Sequence, residues 1–345
     1  MNDDRRVIFR PDVGPGVGLG HLRRCLTLAA DLRRLGADST FLLDGDATAR
    51  GVVAAAGFVV RGLDLHDDDG ETAANCRQAS PDAVVIDSYG YSAQKLAALA
   101  ASGAAVVVLD DLAEHDLPVD IVVNAGICAE RKAYRGGPAT RYLLGPTYAL
   151  LRPEFALPPP RAIRERAQRL LITVGGSDPH GLTARFLGWA AAALRPVTID
   201  VVVGPLFEDR TAIERAVAAL PQEVTVNLHD DPSDMRALMV VADLALCGGG
   251  QTTYELAAAG TPAVATRLAA NQTDNLRGLD AAGTLTWAGD VHDAGLESTV
   301  TRAIAVLNHD PQARSAMSQR GRCLVDGLGS SRVARAIVDR IEAMA

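Results

Sequence analysis

The chain has 345 residues, 48% of them hydrophobic and 22% charged, so it is apolar enough for about two packed domains and excludes wholesale disorder. Acidic residues outnumber basic ones 42 to 34, and the net charge of −8 argues against non-specific binding to a nucleic-acid backbone. Cys25, Cys76, Cys128, Cys247 and Cys323 are widely spaced with no CxxC pair, which argues against a disulfide framework or structural zinc, and no apolar run approaches the roughly 20 residues of a membrane span.

These features together point to a reduced, soluble, cytoplasmic protein. In chain order, Val7–Arg10 reads as a strand. A helix over His21–Leu35 follows, with Leu22, Cys25, Leu28, Ala29 and Leu32 on one apolar face and Gly36 as its terminator. Ser39–Leu43 reads as a strand and Thr48–Ala56 as a helix ended by Gly57. Ala83–Ile86 and Val106–Leu109 are continuous apolar runs on either side of a helix over Ser92–Ala101. Continuous apolar strands alternating with helices predict a parallel sheet covered on both faces.

Pro153 and the run Pro158-Pro159-Pro160 interrupt the pattern, which then repeats. The predicted division is residues 1–155 and 156–345. Second-half strands are expected at Leu170–Val174, Ile199–Val203, Val224–Asn227, Leu244–Cys247 and Ala263–Thr266. Helices are expected at Thr211–Leu220, Asp234–Val241 and Thr252–Ala259, and the stretch Leu296–Ala345 reads as helical, with Pro311 starting one helix and Gly327–Gly329 interrupting. The fold class is α/β, with two Rossmann-like domains whose strand ends face a cleft.

Two segments carry the chemistry. In the first, Arg10, Asp12, Gly14, Gly16, Gly18, Gly20, His21 and Arg24 lie between a strand and a helix N-terminus, where glycines let backbone approach a ligand and unpaired N–H groups suit a polar or anionic one. The spacing is not the dinucleotide GxGxxG. His21, at the loop-to-helix junction, is the candidate general base. Asp12, Asp87, Asp110 and Asp111 follow strands, placed to orient His21 or hold sugar hydroxyls, with helix capping as the alternative for Asp111. Of the other histidines, His66, His229, His292 and His309 read as surface residues, whereas His115 and His180 lie in loops after strands.

In the second segment, Gly248, Gly249, Gly250, Gln251, Thr252, Thr253 and Glu255 again run from a strand into a helix N-terminus. The amides and threonines suit a diphosphate, and Glu255 suits two ribose hydroxyls. Gly175, Gly176, Ser177 and Asp178 form a further loop, and Asn271-Gln272 is expected beside Glu255. No metal constellation, P-loop or GxSxG elbow occurs, so neither metal nor cofactor is expected.

Taken together these residues resemble the UDP-sugar hydrolase family of pseudaminic acid biosynthesis, which releases 2,4-diacetamido-2,4,6-trideoxy-L-altrose from its UDP conjugate. The resemblance rests on Arg10, Asp12, Gly18, Gly20, His21, Arg24-Cys25-Leu26, Asp87, Tyr89, Asp110 and Asp111. It continues through Leu144-Gly145-Pro146-Thr147-Tyr148-Ala149-Leu150-Leu151-Arg152-Pro153-Glu154-Phe155, then Gly175-Gly176-Ser177-Asp178, Gly249, Thr252, Thr253, Glu255 and Asn271-Gln272. Asp326-Gly327, Gly329 and Ser331-Arg332 complete it. That family is similar to glycosyltransferases of GT-B fold, including the lipid-linked GlcNAc transferase of peptidoglycan synthesis.

The resemblance implies a nucleotide held by the C-terminal domain, no metal, and His21 as base for attack of water on the anomeric carbon with inversion and loss of UDP. It implies a UDP-sugar as substrate, with Arg10, Gly18, Gly20, Arg24, Tyr89 and Asp111 against the sugar. Asp12-Val13-Gly14-Pro15-Gly16 is richer in glycine and proline than the family pattern, Gln251 stands where serine is usual, and Ala270 stands where an acid is common. A glycosyltransferase using a hydroxyl acceptor on the same scaffold, and a binding module without turnover, are the competing readings.

Overall fold

The computed structural model describes residues 5–13, 19–43, 47–63, 68–157 and 161–345. Gly14, Gly16, Gly18, His66 and the Pro158–Pro160 run lie outside the described residues. The chain forms two compact units, one of residues 1–153 with 328–345, the other of residues 154–327.

The first unit runs β1 (Arg5–Pro11), α1 (Gly20–Arg34), β2 (Ala37–Leu43), α2 (Ala47–Ala55), β3 (Val59–Gly62), α3 (Asp68–Ala79), β4 (Ala83–Asp87) and α4 (Ala93–Ala100). It continues with β5 (Ala105–Leu109), β6 (Asp116–Leu117), β7 (Ile121–Asn124), β8 (Arg135–Gly136) and β9 (Arg141–Leu144). Seven of these strands make one parallel sheet in the order β3-β2-β1-β4-β5-β7-β9. Strands β4 and β5 are buried along their whole length, as their unbroken apolar runs require. Helix α1 ends where Gly36 takes φ +79°, a left-handed conformation that a side chain would disfavour. Ser92 accepts a hydrogen bond from Lys95 N and so caps α4 rather than belonging to it.

The second unit runs β10 (Arg169–Thr173), α5 (Leu182–Ala193), β11 (Val197–Val203), α6 (Arg210–Ala218), β12 (Val224–Asp230), α7 (Met235–Val241) and β13 (Leu244–Gly248). After these come α8 (Thr252–Ala259), β14 (Ala263–Arg267), α9 (Thr273–Ala281), β15 (Thr286–Asp290), α10 (Leu296–His309) and α11 (Pro311–Leu324). Its parallel sheet has the order β12-β11-β10-β13-β14-β15. Its core joins Leu170, Ile172, Phe186, Ile199, Leu244, Leu246 and Val264 to Val300 and Ile304 of α10.

The last helix, α12 (Gly329–Met344), departs from the expected division. It belongs to the first unit and packs on α1. The physical reason is its apolar face, Val333, Ala334, Ile337, Val338 and Ile341, all buried. Around that face, Ser331 Oγ donates to Asp31 Oδ2 at 3.3 Å, Arg332 Nη1 to the Thr147 carbonyl at 2.9 Å and Arg340 Nε to Asp120 Oδ1 at 2.8 Å. A second departure concerns His229. It is half-buried rather than on the surface, and its Nε2 lies 2.9 Å from Oδ1 of the fully buried Asp200. That carboxylate also accepts from Arg169 and Asn227, partners that offset the cost of burying a charge.

Both sheets reverse their winding once. In the first unit this happens between β1 and β4, in the second between β10 and β13. Ligands in such sheets bind beyond the carboxyl ends of the strands at that point. The residues singled out from the sequence lie at or just beyond the ends of these four strands, with Asp110 and Asp111 following β5 and Asn271-Gln272 following β14.

Candidate active site

In the first unit the site is built from the ends of β1, β4 and β5 and the first two turns of α1. Asp87, the last residue of β4, is fully buried. A buried carboxylate must be bonded, and this one accepts from three sides. His21 Nδ1 lies 2.5 Å from Oδ1, Arg24 Nη2 and Nε donate to Oδ1 at 2.5 Å and Oδ2 at 2.6 Å, and Cys25 Sγ lies 3.6 Å from Oδ2. Burial would raise the Asp87 carboxyl. The Arg24 charge and the hydrogen bonds of Arg24 and His21 outweigh it and hold the carboxyl below its usual range. Burial beside Asp87 pushes the Cys25 thiol well up, so this sulfur is a neutral S–H donor.

His21 Nδ1 faces the Asp87 carboxylate, and donation of its proton to Oδ1 would leave Nε2 as the acceptor nitrogen. Among the described residues Nε2 has no hydrogen-bond partner. The Tyr89 ring meets the imidazole edge to face, 5.0 Å between centroids. Tyr89, itself exposed, donates from its hydroxyl to Asp111 Oδ2 at 3.2 Å. Arg24 Nη1 reaches both oxygens of Asp111, at 3.0 and 2.9 Å. Asp111 thus bonds side chains of the site, while Asp110 caps the turn, accepting from Ala113 N at 2.7 Å and the Tyr134 hydroxyl at 2.8 Å.

Asp12 lies at the end of β1 and bonds the loop after β4. Its Oδ2 accepts from Tyr89 N at 3.1 Å and its Oδ1 lies 3.6 Å from Arg10 Nη1, and no described bond joins it to His21. It fixes the loop that carries Tyr89. Arg10 is buried and donates to the Pro11 carbonyl at 2.6 Å. Gly20 is exposed as the first residue of α1, with no atom within 4 Å of where a Cβ would stand. Tyr134 is not among the residues the sequence singles out, and Cys25 is singled out there without a tie to Asp87. Cys25 fell on the apolar stripe of α1, and nothing in sequence links Tyr134 to Asp110.

In the second unit, the loops after β10 and β13 each lead into a helix N-terminus. At α5, Asp178 accepts from the N–H groups of Leu182 and Thr183, both at 2.8 Å, so the chain's own carboxylate fills that end. At α8, the residue before the helix, Gln251, makes no side-chain cap. Thr252 is half-buried there, with Glu255 in the same first turn. Thr253 is buried and its hydroxyl donates to the Gly250 carbonyl at 2.8 Å, so it braces the turn instead of facing outward. The three glycines also divide. A Cβ on Gly249 would stand 2.7 Å from Leu276 Cδ1 and 2.8 Å from Gln272 Oε1, whereas one on Gly250 would meet nothing closer than 4.0 Å. Gln272 Oε1 accepts from Leu268 N at 2.8 Å and lies against Gly249, while Asn271 is exposed. Gly175, with φ +123°, Gly176 and Ser177 form the half-buried loop after β10.

No protein-family model matches the chain. It is 27% identical over 268 residues to an uncharacterized protein of Methanocaldococcus jannaschii, a match covering 75% of this chain and 55% of the relative. It is 27% identical over 234 residues to the spore coat polysaccharide biosynthesis protein SpsG of Bacillus subtilis, covering 65% of this chain and 66% of that one. The chain therefore spans between about half and two thirds of these relatives. Among solved structures it is similar to MurG of Acinetobacter baumannii, with TM-score 0.73, 17% identity, and 97% and 99% of the two chains covered. It is also similar to the spinosyn rhamnosyltransferase SpnG, with TM-score 0.62, 17% identity, and 97% and 100% covered. A calicheamicin glycosyltransferase gives TM-score 0.63, 19% identity, and 99% and 98% covered. The fold is of the GT-B glycosyltransferase type. No described helix is long and apolar enough to cross a membrane.

Proposed function

We propose that the protein is a hydrolase of a UDP-sugar, releasing UDP and a free amino or deoxy sugar with inversion and without a metal. The observation that carries this reading is the His21–Asp87 pair at the switch point of the first sheet, with Nδ1 turned to the carboxylate. In the reaction, Nε2 takes a proton from water as the oxygen attacks the anomeric carbon. The C–O bond to the diphosphate breaks, and UDP leaves with the electron pair. The protonated imidazole is stabilised by Asp87.

The leaving diphosphate is assigned to the N-terminus of α8. No side-chain cap of Gln251 occupies that end, where Thr253 N, Tyr254 N and Glu255 N bond back to the Gly250 and Gln251 carbonyls, and the partial positive charge of the helix end suits an anion. Asp178 excludes the N-terminus of α5 from that role. Donors aimed at the departing charge supply what a cation would otherwise supply. Glu255 is assigned to the ribose, and Gln272, Asn271 and the loop Gly175–Ser177 to the nucleotide or sugar. Tyr89 and Asp111 are assigned to sugar hydroxyls, with Arg10 and Asp12 setting the loops around them.

A transferase using a hydroxyl acceptor is the second reading, and it would use the same fold as the named glycosyltransferases. The chemistry at the anomeric carbon is the same. The test is UDP release from a panel of UDP-sugars with EDTA present and no acceptor, for the wild type beside His21→Ala. The expected result is release that ignores EDTA and falls by roughly 10²–10⁴ in His21→Ala, with UDP binding retained. UDP binding without release, relieved only by an added acceptor, would select the transferase.

A further inference from the structure

Arg24 resembles an anion receptor in sequence, one turn beyond the glycine loop. Its bonds say otherwise. All three guanidinium nitrogens end on the chain's own carboxylates: Nε and Nη2 on the two oxygens of Asp87, Nη1 on both oxygens of Asp111. The Arg24 side chain is only 17% exposed, and Nη2 stands 3.3 Å from His21 Nδ1. A phosphate or carboxylate reaching this guanidinium would have to displace a bidentate partner.

We propose that Arg24 is a positioning residue for the base: it fixes the Asp87 carboxylate against His21 Nδ1, so that Nε2 is the nitrogen that accepts a proton, and its charge opposes a further proton on the pair. The proposal rests on the reading of His21 as the base. Asp87 Oδ1 accepts from both Arg24 Nη2 and His21 Nδ1, so the fork sets the plane in which the imidazole hydrogen bond forms. A charged fork at this distance repels a proton that would make the imidazole cationic. The groups facing the pair are Arg24 and Cys25 from α1, Asp12 and Arg10 at the end of β1, Tyr89 after β4 and Asp111 after β5. Asp111 partly offsets the Arg24 charge, and Tyr89 donates to Asp111. Asp12 and Arg10 lie within 3.6 Å of each other.

The experiment uses the full chain with 15N-labelled histidine, in wild type, Arg24→Gln and Arg24→Lys. His21 resonances are assigned by their loss in His21→Ala. The ring-nitrogen shifts report the tautomer and the pH of proton uptake without any turnover. Arg24→Gln is expected to move proton uptake by the pair to higher pH and to mix the two tautomers. Arg24→Lys, which keeps the charge and loses the fork, is expected to restore the uptake pH and not the tautomer. In turnover, Arg24→Gln is expected to lower kcat by roughly tenfold to a hundredfold with KM little changed, and to shift the acid limb of kcat/KM upward. Unchanged ring nitrogens in Arg24→Gln, or a raised KM with kcat intact, would overturn the proposal in favour of a substrate contact. If Arg24→Gln does not fold, the tautomer in Arg24→Lys decides: mixed supports the proposal, unchanged overturns it. A wild type that turns over no UDP-sugar defeats the functional reading alone, since the ring nitrogens still decide the role of Arg24.

Discussion

At the scale of single residues, Asp87 does two things whose pH dependences can be separated. As the acceptor for His21 it sets the tautomer, and as a buried charge bonded to Arg24 it contributes to folding. Asp87→Asn presents an amide that no longer favours a proton on Nδ1, so turnover is expected to fall by roughly 10²–10⁴. Its stability effect has a definite sign. The native carboxyl is held below its unfolded value of about 3.9, so its contribution is fully present above that pH and is lost as pH falls through the native value. Urea midpoints of wild type and Asp87→Asn are therefore expected to differ at neutral pH and to converge below about pH 4. A difference that holds constant into acid would mean that the ionised form gains nothing from folding.

At the scale of elements, the glycine turn between β13 and α8 separates packing from ligand approach. Gly249→Ala places a methyl group against Leu276 and against the Gln272 oxygen that holds Leu268 N, so it is expected to destabilise the second unit by about 1–3 kcal/mol. Gly250→Ala meets no such obstacle and is expected to leave the melting temperature unchanged. If the turn approaches a diphosphate, Gly250→Ala weakens UDP binding without a stability change, and calorimetry of the two variants checks both halves of the argument. The same turn marks how far the sequence could be read. Alternation of apolar runs and glycine-stopped helices located β1, α1, β2, α2, β4 and β5, because strands buried on both faces leave unbroken apolar words. Two edge strands leave none: β3 is Val59–Gly62 with exposed positions, and β15 contains Trp287 among Thr, Gly and Asp, whereas the edge strand β12 keeps an alternating Val-Thr-Val pattern that the sequence shows. The residues around His21 were legible as types after strands. Their bonding was not, because whether a carboxylate turns toward Arg24, as Asp111 does, or caps a turn, as Asp110 does, depends on side-chain direction after a strand of the same sequence character.

At the scale of the whole chain, the Pro-rich boundary suggested a single crossing from the first unit to the second, yet the chain crosses twice. Residues 328–345 return to the first unit, and α12 covers α1, the helix that carries His21 and Arg24. Covering follows from pattern: α12 carries a continuous buried stripe that needs an apolar partner, and it packs on α1, where Ser331 bonds Asp31. The C-terminal helix is thus a structural support for the proposed catalytic helix, although some 300 residues separate them. Ile337, fully buried in α12, tests this link. Ile337→Ala removes buried methyl groups and is expected to cost about 2–5 kcal/mol. Because the units have separate cores, the loss belongs to the first one. Hydrogen exchange is expected to quicken in α1 and in β1 and β4 while the amides of β10, β13 and α8 keep their protection. UDP affinity, assigned to the second unit, is expected to stay while turnover falls with the loosening of α1. Uniformly faster exchange in both units would instead mean that the loss is not confined to the first unit.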